Sequence, residues 1–289
     1  MEKVKKRLLI LGSTGMLGHI VFNYLNQQDE FELYDIVYRN KLRDESIVCD
    51  ISNLGQVKDT INSIRPDFIV NCIGILIKGS TRNPANAIFI NSYFPHLLVQ
   101  IADELNAKVI HISTDCVFSG TKGSYKQTDF RDADDTYGRS KALGEIFSNR
   151  HLTLRTSIIG PEIKTDGEGL FHWFMNQTGE ISGYTESFWG GVTTFQLAKN
   201  IEQSIQNNLT GLYHVTNGEP ISKFELLNLF NIIWKRDFVS IVPFPGKSVD
   251  KSLAASNDFD FHVPSYSEML LKQYDWMKKN EDFYRFFYD

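Results

Sequence analysis

A turn with three glycines, placed between a strand pattern and a helix pattern, most constrains how this chain can fold. Apolar residues fill 8–11 before the turn, and apolar residues at helical spacing follow it over 16–25. Gly12 allows a sharp turn, Gly15 lets backbone amides approach a pyrophosphate, and Gly18 lets helix and strand pack closely. The spacing GxxGxxG also occurs in ordinary turns, so the order of the surrounding elements carries the interpretation. The predicted phosphate-binding turn comprises Gly12, Ser13, Thr14, Gly15, Met16, Leu17 and Gly18.

Apolar runs of strand length alternate with amphipathic helical patterns through the first half of the chain. The strand patterns lie at 8–11, 33–38, 47–49, 68–73, 109–112 and 152–159, and the helical patterns at 16–25, 54–64, 85–105 and 137–147. Such βαβ units with right-handed crossovers predict an α/β fold with a doubly wound parallel sheet, the Rossmann arrangement. Ligands of these sheets bind at the carboxyl ends of the strands.

The pattern changes after residue 161, where 163–191 is rich in glycine and aromatic residues and is interpreted as loop-like. Helical patterns follow over 193–205, 221–234 and 265–279, with Ser222 and either Ser265 or Ser267 as N-caps. These patterns predict a smaller, mostly helical C-terminal substrate lobe. The predicted boundaries are 1–162 for the dinucleotide-binding domain, with 188–217 returning to it, and 163–187 plus 218–289 for the lobe.

Charge and composition exclude several classes of function. The 289 residues carry a net charge of −5 with no long basic run, so we expect no nucleic-acid partner. The only apolar run near the N-terminus is too short for a signal peptide or a membrane span, and we expect a cytoplasmic protein without a membrane partner. The cysteines Cys49, Cys72 and Cys116 show no CxxC pairing, which favours buried thiols over disulfides or zinc ligands.

The stretch Tyr137-Gly138-Arg139-Ser140-Lys141 places a phenol and an amine four residues apart. In a helix, Tyr137 and Lys141 lie on the same face. A free tyrosine has a pKa near 10, and an ammonium within a few ångströms favours the phenolate and lowers that pKa. This spacing therefore predicts a tyrosine that serves as a proton donor near neutral pH.

These motifs together resemble an extended short-chain dehydrogenase/reductase, and within that group the dTDP-4-dehydrorhamnose reductase family. The resemblance rests on the glycine turn, Asp50-Ile51, Asn71-Cys72-Ile73-Gly74, Ser113-Thr114-Asp115-Cys116-Val117-Phe118 and Tyr137-Gly138-Arg139-Ser140-Lys141, in that order along the first 160 residues. The resemblance implies hydride transfer between a nicotinamide and a sugar carbon.

The resemblance also implies roles for individual residues. Tyr137 is the expected proton donor, Lys141 holds the nicotinamide ribose and lowers the pKa of the tyrosine, and Thr114 binds the carbonyl oxygen. Ser113 is the alternative to Thr114, because only one of two successive strand residues can point into the site. The further cofactor contacts implied are Asp50, Ile51, Asn71, Cys72, Ile73, Gly74, Asn91 and Ser113. The candidate substrate contacts are Cys116, Val117, His172, Trp173, Trp189 and Lys251.

The residues after the second strand indicate which dinucleotide is preferred. An acidic side chain there binds the ribose 2′-hydroxyl of NAD, whereas an arginine accommodates the 2′-phosphate of NADP. Arg39 lies about twenty residues beyond Gly18, where that residue is expected, so NADP(H) is favoured over NAD(H). Asp35 is an alternative candidate for an acidic residue that binds the ribose 2′-hydroxyl, but it lies in the middle of the strand pattern.

Two departures from the family pattern leave the sugar open. Cys116 stands where the family has a tyrosine, and the segment 187–194 replaces a glycine, proline and threonine-containing segment. The leading hypothesis is an NADPH-dependent reductase of a nucleotide-linked 4-keto-6-deoxy sugar for surface polysaccharide or glycan synthesis. The alternatives are an epimerase or dehydratase that retains NAD(P), and a non-catalytic NADP-binding regulatory subunit. No metal site is expected, and the oligomeric state is open, with a homodimer as one alternative.

Overall fold

The computed structural model describes residues 4–256, 258–284 and 287. Residues 1–3 of the predicted dinucleotide-binding domain, and 257, 285, 286, 288 and 289 of the predicted lobe, lie outside the described residues. Strands are β1 Lys6–Leu11, β2 Phe31–Val37, β3 Ile47–Val48, β4 Phe68–Asn71, β5 Lys108–Thr114, β6 Leu152–Thr156, β7 Ile158–Ile159, β8 Gly179–Tyr184, β9 Ser187–Trp189, β10 Val192–Thr193, β11 Gly211–His214, β12 Ile221–Ser222, β13 Val239–Phe244 and β14 Val249–Asp250. Helices are α1 Gly18–Leu25, α2 Leu54–Ile64, α3 Ile77–Arg82, α4 Pro84–Ile88, α5 Phe94–Glu104, α6 Thr136–Leu143, α7 Leu170–Met175, α8 Thr194–Gln206, α9 Lys223–Trp234, α10 Tyr266–Lys279 and α11 Glu281–Tyr284.

Seven strands form one parallel sheet in the order β11-β6-β5-β4-β1-β2-β3. The order reverses between β1 and β4, which creates the crevice where ligands of doubly wound sheets bind. The predicted α/β doubly wound fold is confirmed. Among the described residues, no helix combines the length and the apolar character needed to cross a bilayer.

Alternating side chains of β1 fill the core on both faces of the sheet. Leu8 and Ile10 pack into the cluster that contains residues of α1 and α8, whereas Leu9 and Leu11 pack with residues of α2 and α5. All four are fully buried. A strand covered on both faces is apolar at successive positions, which is why 8–11 contains no polar residue.

The C-terminal lobe contains strands that the sequence patterns did not predict. The loop-like interpretation of 163–191 is wrong, because this stretch contains α7, β8 and β9. β8 pairs in parallel with β13, and β9 pairs with β12 and β14, so each strand finds its partner more than 30 residues away in sequence. The predicted N-caps are confirmed at Ser222, which forms a capping box with Glu225, and at Ser265.

Gly18→Ala is expected to destabilise the protein by about 1–3 kcal/mol, because a Cβ at Gly18 would overlap the carbonyl group of Gly12. Gly55 in α2 is the matched control, since a Cβ there meets only the Asn53 side chain, at 3.7 Å. Gly55→Ala is expected to stabilise the protein by up to about 1 kcal/mol through helix propensity. Urea unfolding of both variants checks the two signs, and equal effects would contradict the close packing at Gly18.

Candidate active site

A groove lies at the carboxyl ends of β1, β4 and β5 and consists of two adjoining cavities of about 590 and 440 Å³. The larger cavity is lined by residues of the glycine turn, the loop after β4, the end of β5 and α6. The smaller cavity is lined by the ends of β2 and β3 together with α4. The predicted residues in the larger cavity include Thr14, Gly15, Met16, Leu17, Cys72, Ile73, Gly74, Ser113, Thr114, Cys116, Tyr137 and Lys141. The predicted residues in the smaller cavity include Gly12, Asp50 and Ile51.

Ser113 and Thr114, the two hydroxyl candidates at the end of β5, have different hydrogen-bond partners. Ser113 Oγ donates to Glu145 Oε1 at 2.7 Å, within a buried ionic network. Thr114 Oγ1 donates to Asp115 Oδ1 at 3.0 Å and accepts from the backbone N–H of Cys116 at 3.1 Å, and its side chain lies close enough to Tyr137 to affect the pKa of that phenol. Successive strand side chains point in opposite directions, so the Thr114 side chain, and not that of Ser113, lies on the side of Tyr137.

Tyr137 has a pKa above the ordinary tyrosine value. Burial is the main cause, and the nearby Cys116, Asp115 and Asp135 also favour the neutral phenol, while the Thr114 side chain acts in the opposite direction. The prediction that this tyrosine has a lowered pKa is therefore wrong. The phenol stays protonated at neutral pH, which is the state that a proton donor requires.

Lys141 is buried, and its ammonium is held by β5. Nζ donates to the carbonyl oxygen of Ile112 at 2.7 Å and lies 3.4 Å from His111 Nε2. His111 Nδ1 in turn lies 3.1 Å from Asn71 Nδ2, and Asn71 Oδ1 accepts from the backbone N–H of Ile73. Sequence patterns placed Asn71 at the cofactor and overlooked His111, although a histidine inside an apolar strand pattern marks a polar contact in the core.

Both members of this buried pair have pKa values below their ordinary values. Burial lowers the pKa of Lys141 to about 8, and burial together with the Lys141 charge lowers that of His111 well below its usual range. As pH rises through about 8, Lys141 loses its positive charge. Because this loss removes the positive charge beside the reacting groups, kcat/KM is expected to fall by about tenfold for each pH unit above this pKa. A pH profile from about pH 6 to pH 10 with saturating reduced dinucleotide checks this, and a flat alkaline limb would contradict it.

The glycine turn is supported by a buried carboxylate. Ser13 Oγ and Ser46 Oγ donate to Asp35 Oδ2 at 2.6 and 2.7 Å, and Arg43 Nε contacts Asp35 Oδ1 at 3.2 Å. Asp35 therefore has hydrogen-bond and ion-pair partners within the protein. Arg39 is exposed, and its guanidinium lies 4.5 Å from the centre of the Tyr38 ring, beside the smaller cavity that Tyr38 lines.

The chain matches the family model described as the RmlD substrate binding domain over residues 6–273. The chain belongs to this family. It is 31% identical to the dTDP-4-dehydrorhamnose reductase of Aggregatibacter actinomycetemcomitans over 157 residues, which cover 52% of this chain and 51% of that protein. The RmlD-family chain thus spans about half the length of that reductase in the alignment. The predicted family resemblance is confirmed.

Two other relatives cover more of the RmlD-family chain. Methionine adenosyltransferase 2 subunit beta of Danio rerio is 26% identical over 236 residues, which cover 76% of this chain and 72% of that protein. A dTDP-4-dehydrorhamnose reductase from Bacillus anthracis str. Ames, solved in complex with NADP, has a TM-score of 0.80 at 24% identity. This similarity covers 94% of this chain and 100% of that chain, and it supports the fold.

A buried ionic network lies beneath the Thr114 end of β5 in this RmlD-family chain. Glu145 accepts from Arg155 Nε at 2.7 Å and Nη2 at 2.6 Å, and both side chains are fully buried. Arg131 and Ser113 also donate to Glu145, and Arg155 Nη1 lies 2.9 Å from His214 Nε2. The network joins β5, β6, β11 and the segment after α6. Sequence patterns overlooked it, although Glu145 stands four residues after Lys141.

Asn91 lies in a π-helical turn, Phe89–Tyr93, that interrupts the predicted helix over 85–105. Its side chain contacts both the N–H and the carbonyl of Ile75, at 2.8 and 3.0 Å, and donates to Ser140 Oγ at 3.1 Å. These bonds join the loop after β4 to α6, the helix that carries Tyr137 and Lys141. Asn91 therefore links the backbone of Ile75 to a side chain of α6 across the groove.

The structure places the candidate substrate residues in different environments. Cys116 lines the larger cavity, and burial raises the pKa of its thiol to about 12. Val117 is fully buried with Phe118 and Tyr125, so the expectation that it contacts substrate is corrected. Lys251 lies beside Gly120 and close enough to Asp115 to lower the pKa of that carboxyl, although burial raises it overall.

The aromatic candidates lie in the C-terminal lobe. Trp189 is buried against Tyr266 with ring centres 5.5 Å apart, whereas Trp173 is 42% exposed on α7. His172 is buried on the same helix. None of these three lines the larger cavity among the described residues, which corrects the expectation that they face the sugar.

Proposed function

We propose that this protein is an NADPH-dependent reductase of a nucleotide-linked 4-keto-6-deoxy sugar. One observation carries the proposal: the side chains of Thr114 and Tyr137 meet inside a cavity that Lys141 and the glycine turn also line. A hydroxyl and a protonated phenol at one point can bind and protonate a carbonyl oxygen.

The residues present fit a dinucleotide. Gly12 has φ +81°, a conformation that glycine adopts readily, and it turns the chain into the N-terminus of α1. The two adjoining cavities provide separate spaces for the nicotinamide side and the adenosine side, and the backbone amides of the glycine turn lie where they join. Arg39 supports the preference for NADPH, as does the NADP complex of the Bacillus anthracis reductase.

The proposed chemistry assigns one task to each group. A bound nicotinamide dinucleotide supplies the hydride. Tyr137 transfers its phenolic proton to the carbonyl oxygen of the sugar, and Thr114 orients that oxygen with a hydrogen bond. Lys141, fixed by Ile112 and His111, provides a positive charge near the site when it is protonated. The hydride adds to the carbonyl carbon, so the product is the nucleotide-linked sugar with a hydroxyl group at that carbon, together with the oxidised dinucleotide.

The substrate class is inferred from the names of the relatives, and we place the reaction in surface polysaccharide or glycan synthesis. The test is oxidation of NADPH in the presence of dTDP-, UDP- and GDP-linked 4-keto-6-deoxy sugars. The loss of reduced-nicotinamide absorbance measures the oxidation, and NADH is tested in parallel. Oxidation with one of these sugars supports the reductase and identifies its nucleotide. Faster oxidation of NADH than of NADPH contradicts the cofactor preference.

A non-catalytic regulatory subunit is the second candidate. It is favoured by the match to methionine adenosyltransferase 2 subunit beta, which covers 76% of this chain, against 52% for the reductase match. The two functions predict different results in the same assay. Tight NADPH binding without oxidation by any of the sugars supports the regulatory subunit.

A further inference from the structure

The two cavities of the groove meet at a small set of shared residues. These are Thr14, Gly15, Cys72, Ile73, Gly74 and Lys164. The first five belong to the glycine turn and the loop after β4, and only Lys164 comes from the C-terminal half of the chain. In the proposed function, this junction is where a dinucleotide places its diphosphate, because the glycine turn and the N-terminus of α1 lie there.

The segment 162–169, which we call the strap, is held against the glycine turn. Glu162 Oε1 accepts from the backbone N–H of Gly169 at 2.7 Å, which joins the two ends of the strap. The Met16 methyl group packs so closely on Gly169 that a Cβ there would come within 2.7 Å of it. Ile163 packs against the main core cluster. The strap therefore has a defined place beside the groove, and Lys164 projects from it.

The ammonium of Lys164 has no ion-pair partner among the described residues. Within the described part of the chain, no carboxylate forms an ion pair with its ammonium. Two other lysines among the described residues line the groove. The Lys141 ammonium is held by the Ile112 carbonyl, and Lys78 lines only the larger cavity. Lys164 is thus the cation placed at the junction itself. Its side chain is exposed, so it can move onto an anion without first losing a protein partner.

We propose that Lys164 binds the diphosphate of the dinucleotide from the strap, so that the strap and the glycine turn hold the same group between them. The inference rests on the proposed function, since it assumes that a dinucleotide occupies the groove. Backbone amides of the glycine turn offer partial positive charge. The Lys164 ammonium places a full positive charge beside the diphosphate, which carries two negative charges.

The test is the dissociation constant for NADPH and for NADH, measured by calorimetry on the full chain and on Lys164→Ala and Lys164→Glu. We expect Lys164→Ala to raise both constants roughly three- to tenfold, and Lys164→Glu to raise them further. The two dinucleotides share the diphosphate, so the two fold-changes should be equal. The dependence of the dissociation constant on salt should also be weaker in Lys164→Ala. Lys279→Ala, at an exposed lysine of α10 that lines neither cavity, is the matched control and should change neither constant.

Comparison of the unchanged protein with the variants separates failure of this inference from failure of the proposed function. If the unchanged protein binds dinucleotide and Lys164→Ala binds it equally well, the role of Lys164 is overturned while the proposed function stands. A loss confined to NADPH also overturns it, because Lys164 then binds the 2′-phosphate rather than the diphosphate. If the unchanged protein binds neither dinucleotide, both proposals fail together.

Discussion

Tyr137→Phe is expected to lower turnover by a factor of about 10² to 10⁴, the usual contribution of one general acid. The substitution removes the phenolic hydroxyl, with its proton and its contact with Thr114, while keeping the aromatic ring in place. Because the tyrosine pKa is raised, the proton is present on Tyr137 throughout the neutral range, so its loss should lower kcat across that range. Steady-state assays with the sugar identified in the panel measure the effect.

The control for this variant separates chemistry from binding. Tyr93 is 51% exposed in the π-helical turn, and Tyr93→Phe should leave turnover unchanged. The dissociation constant for NADPH should be nearly the same in Tyr137→Phe as in the unchanged protein, because the lost group acts on the sugar carbonyl. Normal turnover in Tyr137→Phe would show that Tyr137 is not the proton donor.

Glu145→Ala is expected to lower the free energy of unfolding by about 3–5 kcal/mol, because it leaves the fully buried Arg155 without its carboxylate. Ser113 and Arg131 lose the same acceptor. Urea unfolding monitored by circular dichroism measures the change. The matched control is Glu104→Ala, which removes an exposed ion pair with Lys58 and should cost about 0–1 kcal/mol.

A double variant tests whether the unpaired charge is the cause. Glu145→Leu combined with Arg155→Met removes both charges and should recover much of the stability lost in Glu145→Ala, since apolar pairs often replace buried ion pairs without large cost. Equal unfolding energies for Glu145→Ala and Glu104→Ala would show that the buried network contributes little. Equal losses in the single and double variants would point to packing rather than charge.

The interruption of one helix shows why local patterns left parts of the site open. Apolar spacing predicted a continuous helix over 85–105, but the chain forms α4, a π-helical turn and α5. The π turn lets Asn91 reach Ile75 and Ser140, which lie in other elements. Such a turn depends on partners outside the helix, and helical periodicity carries no information about them.

The choice between Ser113 and Thr114 and the pKa of Tyr137 have the same origin. The spacing of the motif brought both hydroxyls to the end of β5 and put Tyr137 and Lys141 on one helix face. Burial raises the pKa of the tyrosine, and the Lys141 ammonium contacts the Ile112 carbonyl and His111. Spacing along one helix specifies which residues are neighbours, whereas desolvation depends on everything packed around them.

The sequence by itself determined the parallel sheet, the glycine turn and the family, because these depend on periodicity and on residue types at short separations. Tertiary structure alone decided the direction of Ser113, the Glu145–Arg155 network, the pairing of β8 with β13 and the place of Lys164 at the junction of the cavities. Each of these features joins residues that are distant in the chain. Their hydrogen bonds, charges and burial exist only after the elements have packed, so no local pattern specifies them.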